Sequence, residues 1–160
     1  MSGRVGVGYD IHPFATDPGR ALVLGGVHFQ GVKGLSGHSD ADVAAHAVAD
    51  AMLGAAGLGD LGQHFPDDDA RWRDANSIQL LTEVAELVAA KGYRLENADC
   101  TVVGERPRVA PMRQEMMERL TRAAGGPVHV KASRPERLGS LGRGEGIACV
   151  AVALLEEIEK

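Results

Sequence analysis

SDADVAAHAVADAMLGAAG, residues Ser39 to Gly57, is rich in strong helix formers and free of proline, so it reads as a helix. Ser39 is a fit N-cap, Asp42 falls in the first turn, and Gly57 can end it. Upstream, Val5, Val7 and Tyr9 alternate with Gly6 and Gly8, which predicts a short strand ending at Asp10. ALVLGGVHF (Ala21–Phe29) reads as two β segments around Gly25-Gly26, a hairpin or a bulge. Downstream, NSIQLLTEVAELVAAKGY is a second helix capped by Asn76 or Ser77 and closed by Lys91-Gly92. Its Leu80, Leu81, Val84, Leu87 and Val88 share one face. ADCTVVG (Ala98–Gly104) is a buried strand, and a third helix runs from near Pro111 to Gly125-Gly126. VHVKAS (Val128–Ser133) is another strand. The final run GIACVAVALLEEI leaves helix or strand open by length, but Ile147, Val150 and Val152 lean toward a central strand. Strands alternating with helices point to a compact α/β or α+β domain with a mixed sheet.

The chain of 160 residues suits one domain, 1–160, with 44% hydrophobic and 24% charged residues, an ordinary globular composition. Net charge is −5 with 17 Lys and Arg, so nothing suggests a nucleic-acid partner. An anionic ligand would need a local cluster of cations, backbone amides or a metal. Cys100 and Cys149 lie far apart and form no C-x-x-C pair, which reads as reduced core thiols in a cytoplasmic protein. The first residues hold no long apolar run, and no segment approaches the ~18 residues of a membrane span. No G-x-G-x-x-G follows the first strand, and no Walker loop, H-E-x-x-H or nucleophile elbow is present.

GYDIHPF (Gly8–Phe14) holds the first functional signal. Residues two apart on a strand point to the same side, so Asp10 and His12 can converge on one point. The predicted helix offers Asp42, His46 and Asp50 at four-residue spacing on one face. One carboxylate and two imidazoles suit zinc, leaving the fourth tetrahedral position for a substrate. Asp42 or Asp50 could orient His46 through its other ring nitrogen. The plainer alternatives are a turn-capping Asp10 and an ordinary half-buried His46.

GHSDAD places His38 and Ser39 at the helix start, where free amides and the dipole favour an anion; Ser39 could equally only cap. GDLGQHFPDDD (Gly59–Asp69) is an acidic, glycine-punctuated loop, either solvated surface or a grip for sugar hydroxyls. GSLGRGEG (Gly139–Gly146) could form an amide nest with Arg143 holding a phosphate, or a plain tight turn.

Together, GYDIHPF, GHSDADVAAHAVADAMLGAAGLGDLGQHFPDDD, GERPRVAP and GRGEGIA resemble the 2-C-methyl-D-erythritol 2,4-cyclodiphosphate synthases of the non-mevalonate isoprenoid pathway. The resemblance covers nearly the whole chain in order. It implies an α+β (α/β sandwich) fold, a four-stranded mixed β-sheet with helices packed on one face, assembled as a homotrimer. It implies zinc on Asp10, His12 and His46, and a second divalent ion, Mg²⁺ or Mn²⁺, on Glu136. The implied reaction is an intramolecular phosphoryl transfer. The substrate, 4-diphosphocytidyl-2-C-methyl-D-erythritol 2-phosphate, closes to the 2,4-cyclodiphosphate and releases CMP.

The same resemblance assigns His38 and Ser39 to the nucleophilic phosphate. It assigns Asp60, Leu61, Gly62 and the stretch Phe65, Pro66, Asp67, Asp68 and Asp69 to the methylerythritol hydroxyls. Gly104, Glu105, Arg106 and Pro107, with Arg108, Val109 and Ala110, match the cytidine pocket, contributed by a neighbouring subunit. Arg143 and Glu145 match residues around a central cavity for an isoprenoid phosphate. The pattern departs at Ser133-Arg134-Pro135, where consecutive threonines are usual, and at Ser140, where an aromatic is common. Ser133 keeps one hydroxyl, Pro135 removes a backbone donor, and Arg134 could supply a cation to the phosphates instead. Two other readings compete. One is a catalytically weakened trimer that binds isoprenoid phosphates; the other is a zinc phosphohydrolase giving a linear product.

Overall fold

Glycines alternating along the first strand let the alanine-rich helix lie directly on it. The computed structural model describes residues 2–159. In it the strand is β1 (Arg4–Pro13) and the helix is α1 (Val43–Ala56). A Cβ at Gly6 would come within 2.0 Å of the Ala51 carbonyl oxygen, and one at Gly8 within 1.9 Å of that of Ala47. Backbone rests on backbone, and a side chain at either position would wedge the two elements apart. Every α1 residue except His46, Asp50 and Gly54 is buried, as a helix that is apolar all round must be.

The N-cap of α1 is Asp42, not the expected Ser39, so the helix begins later. Asp42 is fully buried and accepts hydrogen bonds from Ala44 and Ala45 N–H at 3.1 Å each. It also accepts from Gly25 N–H at 2.8 Å and Gly26 N–H at 2.7 Å. Burial and the neighbouring Asp40 charge push its carboxyl up to about 6, against the lowering pull of the backbone N–H donors. The two glycine donors tie α1 to the turn of the predicted hairpin, β2 (Leu22–Leu24) and β3 (Val27–Phe29). Gly25 and Gly26 both adopt positive φ there, as the tight turn requires. Gly57 ends α1 in the left-handed conformation, as expected.

After α1 come the short α2 (Leu61–His64), unforeseen in the acidic loop, and α3 (Ser77–Ala90), capped by Asn76. Of the predicted α3 face, Leu87 remains 36% exposed and the others are buried, apart from that one position. β4 (Tyr93–Val103) is longer than the predicted strand and carries an irregularity between Leu95 and Asn97. Then follow α4 (Arg113–Ala124), β5 (Val128–Ser133), the short α5 (Gly139–Gly142) and β6 (Gly146–Glu157). The apolar C-terminal run is thus a strand, and a central one.

The main sheet has the order β1-β6-β4-β5. β6 pairs antiparallel with β1 and β4, while β4 and β5 are parallel, with α4 as the crossover between them. The sheet is therefore mixed and four-stranded. β1 continues beyond Asp10 to Pro13, which an edge strand tolerates because its outer N–H has no ladder partner to lose. Gly6 and Gly8 face α1, while Val5, Val7, Tyr9 and Ile11 stand 44–65% exposed on the opposite side. Val150 and Val152 of β6 extend that bare apolar face. Cys100 and Cys149 are free and buried. Among the described residues no helix is long and apolar enough to cross a membrane.

Candidate metal centre and substrate cavity

The strand period that turns Gly6 and Gly8 toward α1 turns Asp10 and His12 the same way, where His46 meets them. One ligand atom from each lies within 4.8 Å of the others. Asp10 Oδ2 is 3.0 Å from His46 Nδ1 and 3.2 Å from His12 Nε2. Two donors about 2.0–2.1 Å from a common tetrahedral centre stand roughly 3.3 Å apart, so the spacing fits one small cation. Burial pushes the Asp10 carboxyl up, but hydrogen bonds and charges from His12 and His46 outweigh it and bring it down to about 2. The Asp10 carboxylate in turn raises His12 above the ordinary imidazole value.

The two imidazoles present opposite nitrogens. His12 turns Nε2 inward and its Nδ1 bonds the Ser36 carbonyl at 2.8 Å. His46 turns Nδ1 inward, and its Nε2 lies 2.7 Å from Ser77 Oγ and 3.2 Å from Ser39 Oγ. Neither Asp42 nor Asp50 orients His46, as was expected from the helix face. Asp42 is spent on the hairpin, and Asp50 accepts from Leu61 N–H at 2.8 Å, pinning the start of α2.

The cluster opens into a cavity of about 420 Å³. His38 and Ser39 line it, as do Asp60, Leu61, Gly62, Phe65 and Asp67 around α2. At the helix start Asp42 already takes the Ala44 and Ala45 N–H groups, so these two amides are not free for an anion. Asp60 also caps α2 through Gln63 N–H. Pro66, Asp68 and Asp69 are not in the wall; Asp69 pairs with Arg71 at 2.6 Å and caps the turn Ala70–Trp72.

Other members of the predicted set lie elsewhere. A second cavity, of about 1070 Å³, is lined by Glu105, Arg106, Pro107, Arg108, Arg134 and Arg143. It shares no lining residue with the first. Gly104, Ala110, Ser133, Pro135, Glu136 and Ser140 flank it in sequence without lining it, and Val109 is buried in the core. Glu136 and Arg137 both hold positive φ, a conformation that bulky residues keep only where surroundings enforce it. Here Arg137 N–H donates to Glu105 at 2.7 Å. Arg143 pairs with Glu145.

Sequence reasoning missed several residues around the first cavity. Arg20 braces the loop before α1, its guanidinium donating to the Leu35, Gly37 and Ser39 carbonyls. Trp72 stands edge-on to Phe65 at 4.9 Å in the cavity wall. Ser77 sits behind His46. None carries a spacing signal, because each acts from a different segment.

The chain matches the YgbB family over residues 3–156. It is 57% identical to the bifunctional enzyme IspD/IspF of Anaeromyxobacter sp. (strain Fw109-5), over 96% of this chain and 40% of that one. It thus spans about two fifths of the length of that bifunctional relative. It is 52% identical to the 2-C-methyl-D-erythritol 2,4-cyclodiphosphate synthase of Geobacillus thermodenitrificans, over 98% of both chains. Among solved structures it superposes on IspF of Plasmodium falciparum in complex with CDP, with a TM-score of 0.85 and 31% identity, covering 99% of this chain and 98% of that one. With a family match over residues 3–156 and a 52% identical relative aligned along nearly its whole length, the chain belongs to the YgbB family.

Proposed function

We propose that the protein converts 4-diphosphocytidyl-2-C-methyl-D-erythritol 2-phosphate into 2-C-methyl-D-erythritol 2,4-cyclodiphosphate and CMP, in the cytoplasm. The observation that carries this is the convergence of Asp10, His12 and His46 at the mouth of a cavity that also holds His38, Ser39 and Asp60. Two imidazoles and a carboxylate suit Zn²⁺, which would supply Lewis acidity at the diphosphate, with Mg²⁺ or Mn²⁺ on Glu136 balancing its charge. The 2-phosphate oxygen attacks the β-phosphorus, the bond from that phosphorus to the bridging oxygen breaks, and CMP leaves with the bridging oxygen. Little covalent work falls to the protein; positioning and charge neutralisation dominate. His38 and Ser39 hold the attacking phosphate in line. Asp60 accepts from a methylerythritol hydroxyl, beside Leu61, Gly62, Phe65 and Asp67.

The cytidine half comes from the Gly104–Ala110 segment and Ser133–Glu136 of a neighbouring subunit. Two features support a homotrimer that joins the halves. The metal cluster and the arginine-lined cavity are separate within one protomer, and β1 with β6 exposes an apolar face typical of an interface. Arg134 contributes a cation where a threonine is usual.

Incubation with the cytidylated substrate, Zn²⁺ and Mg²⁺ tests the reading: ³¹P NMR should show the cyclic diphosphate appearing with CMP. A linear product would instead make it a phosphohydrolase. The substitutions at Ser133-Arg134-Pro135 and Ser140 favour one second reading, a trimer that binds isoprenoid phosphates with little turnover. Full zinc occupancy with no CMP release would select it.

A further inference from the structure

The contacts behind His46 form a chain that no spacing in the sequence announces. Ser77 Oγ, 2.7 Å from His46 Nε2, also bonds the Asp40 carboxylate, and Ser77 N–H donates to the same carboxylate at 3.1 Å. Asp40 N–H returns a bond to the Ala75 carbonyl at 3.1 Å. Ser77 is 1% exposed and opens α3, whose positive N-terminal end suits the Asp40 charge. Ala41 takes φ 56 between Asp40 and Asp42. That bend sends Asp40 toward α3 while Asp42 caps α1, and such strain persists only where its surroundings enforce it.

The donor inventory decides the direction of the chain. A carboxylate only accepts, so the single Ser77 hydroxyl proton goes to Asp40. The remaining lone pairs of Ser77 Oγ face His46 Nε2, which must then be the donor. Without an ion, Nδ1 donates to the Asp10 carboxylate at 3.0 Å; a bound cation would replace that proton, and an imidazole kept protonated at Nε2 would then offer it the Nδ1 lone pair. We infer that Asp40 and Ser77 are positioning residues. They lock His46 as the Nε2–H tautomer, with Nδ1 aimed at the metal, in an aspartate–serine–histidine relay that joins α3 to the ion. This deepens the metal reading and rests on it. Ser36 does the same for His12 through a backbone carbonyl, which no substitution of a side chain removes. The His46 arm is therefore the one that mutation can switch.

Zinc affinity, measured by competition with a chromogenic chelator on the purified full chain, is the test. Ser77→Ala should weaken Zn²⁺ binding by about 10- to 100-fold, the usual effect of losing a ligand's supporting partner. Ser77→Thr, which keeps the hydroxyl, should restore the parent affinity, and Asp40→Asn should fall between. Should Ser77→Ala fold poorly, the other two variants and ¹⁵N NMR of the zinc-loaded parent still decide. Those spectra should show His46 metal-bound at Nδ1 and protonated at Nε2. Parent affinity in Ser77→Ala, or His46 bound through Nε2, overturns the relay while leaving the metal site standing. A parent that binds no Zn²⁺ overturns both.

Discussion

Replacing Gly8 by alanine should damage fold and metal site together, by an amount the geometry sets. The new Cβ would stand 1.9 Å from the Ala47 carbonyl oxygen and 2.7 Å from Ala51 N, whereas ordinary contact begins near 3.4 Å. α1 must then retreat from β1 by about 1.5 Å, the shortfall against that limit. Both obstacles are helix backbone, so no side chain can turn aside to relieve them. Overpacking commonly costs about 1–3 kcal/mol, and this case belongs at the upper end or beyond. The same retreat carries His46 away from Asp10 and His12, while zinc–ligand distances tolerate only about 0.2 Å. Zinc affinity should fall by more than the roughly 10- to 100-fold that follows from disturbing a ligand's support.

Urea unfolding of the metal-free protein and chelator competition for Zn²⁺ measure the two losses. Gly125→Ala is the control: Gly125 ends α4 at φ 73, and a Cβ there meets nothing within 4 Å. It should lose about 1–2 kcal/mol to left-handed strain and bind zinc as the parent does. If Gly8→Ala is no less stable than Gly125→Ala and keeps full zinc affinity, the direct seating of α1 on β1 is wrong.

Four further outcomes follow from the site and from the bare sheet face. Because Asp10 raises His12, protons should begin to displace Zn²⁺ above the usual histidine value, so chelator competition from pH 8 to 6 should show affinity falling with acid. In the metal-free protein the folded Asp10 carboxyl lies at about 2, below its unfolded value of 3.8; its stabilisation is present above 3.8 and lost as pH falls toward 2, readable in unfolding midpoints. Arg134→Thr should lower or maintain the rate of CMP release, and a large gain would show that Arg134 is no substitute cation. Val7→Glu places a charge in the centre of the bare apolar face. On a sizing column it should turn the proposed trimer into monomers that keep zinc, since α1 packs on the other side of the sheet, but lose turnover.

What could be read along the chain is what short-range physics governs. Caps, glycine stops and apolar periods act within a few residues. The ends of α1 and α3, the Gly25-Gly26 hairpin and the Val128–Ser133 strand were therefore legible within a turn or less. The same holds for Asp10 and His12, whose shared side is a property of any strand. Even there one local signal misled. Ser39 and Asp42 are both good caps, and the choice fell to Asp42 because the hairpin's two free N–H groups come to it from 16 and 17 residues away.

Tertiary structure alone decided three things. It made Gly6 and Gly8 seats for a helix rather than loose links in a strand. It set Ser77 and Asp40 behind His46, against the nearer aspartates of its own helix. And it parted the arginine-rich segments from the metal cluster within one protomer. Each depends on how closely two distant surfaces approach. That distance is set by side-chain volume and backbone hydrogen bonding summed over both elements, which no single segment encodes.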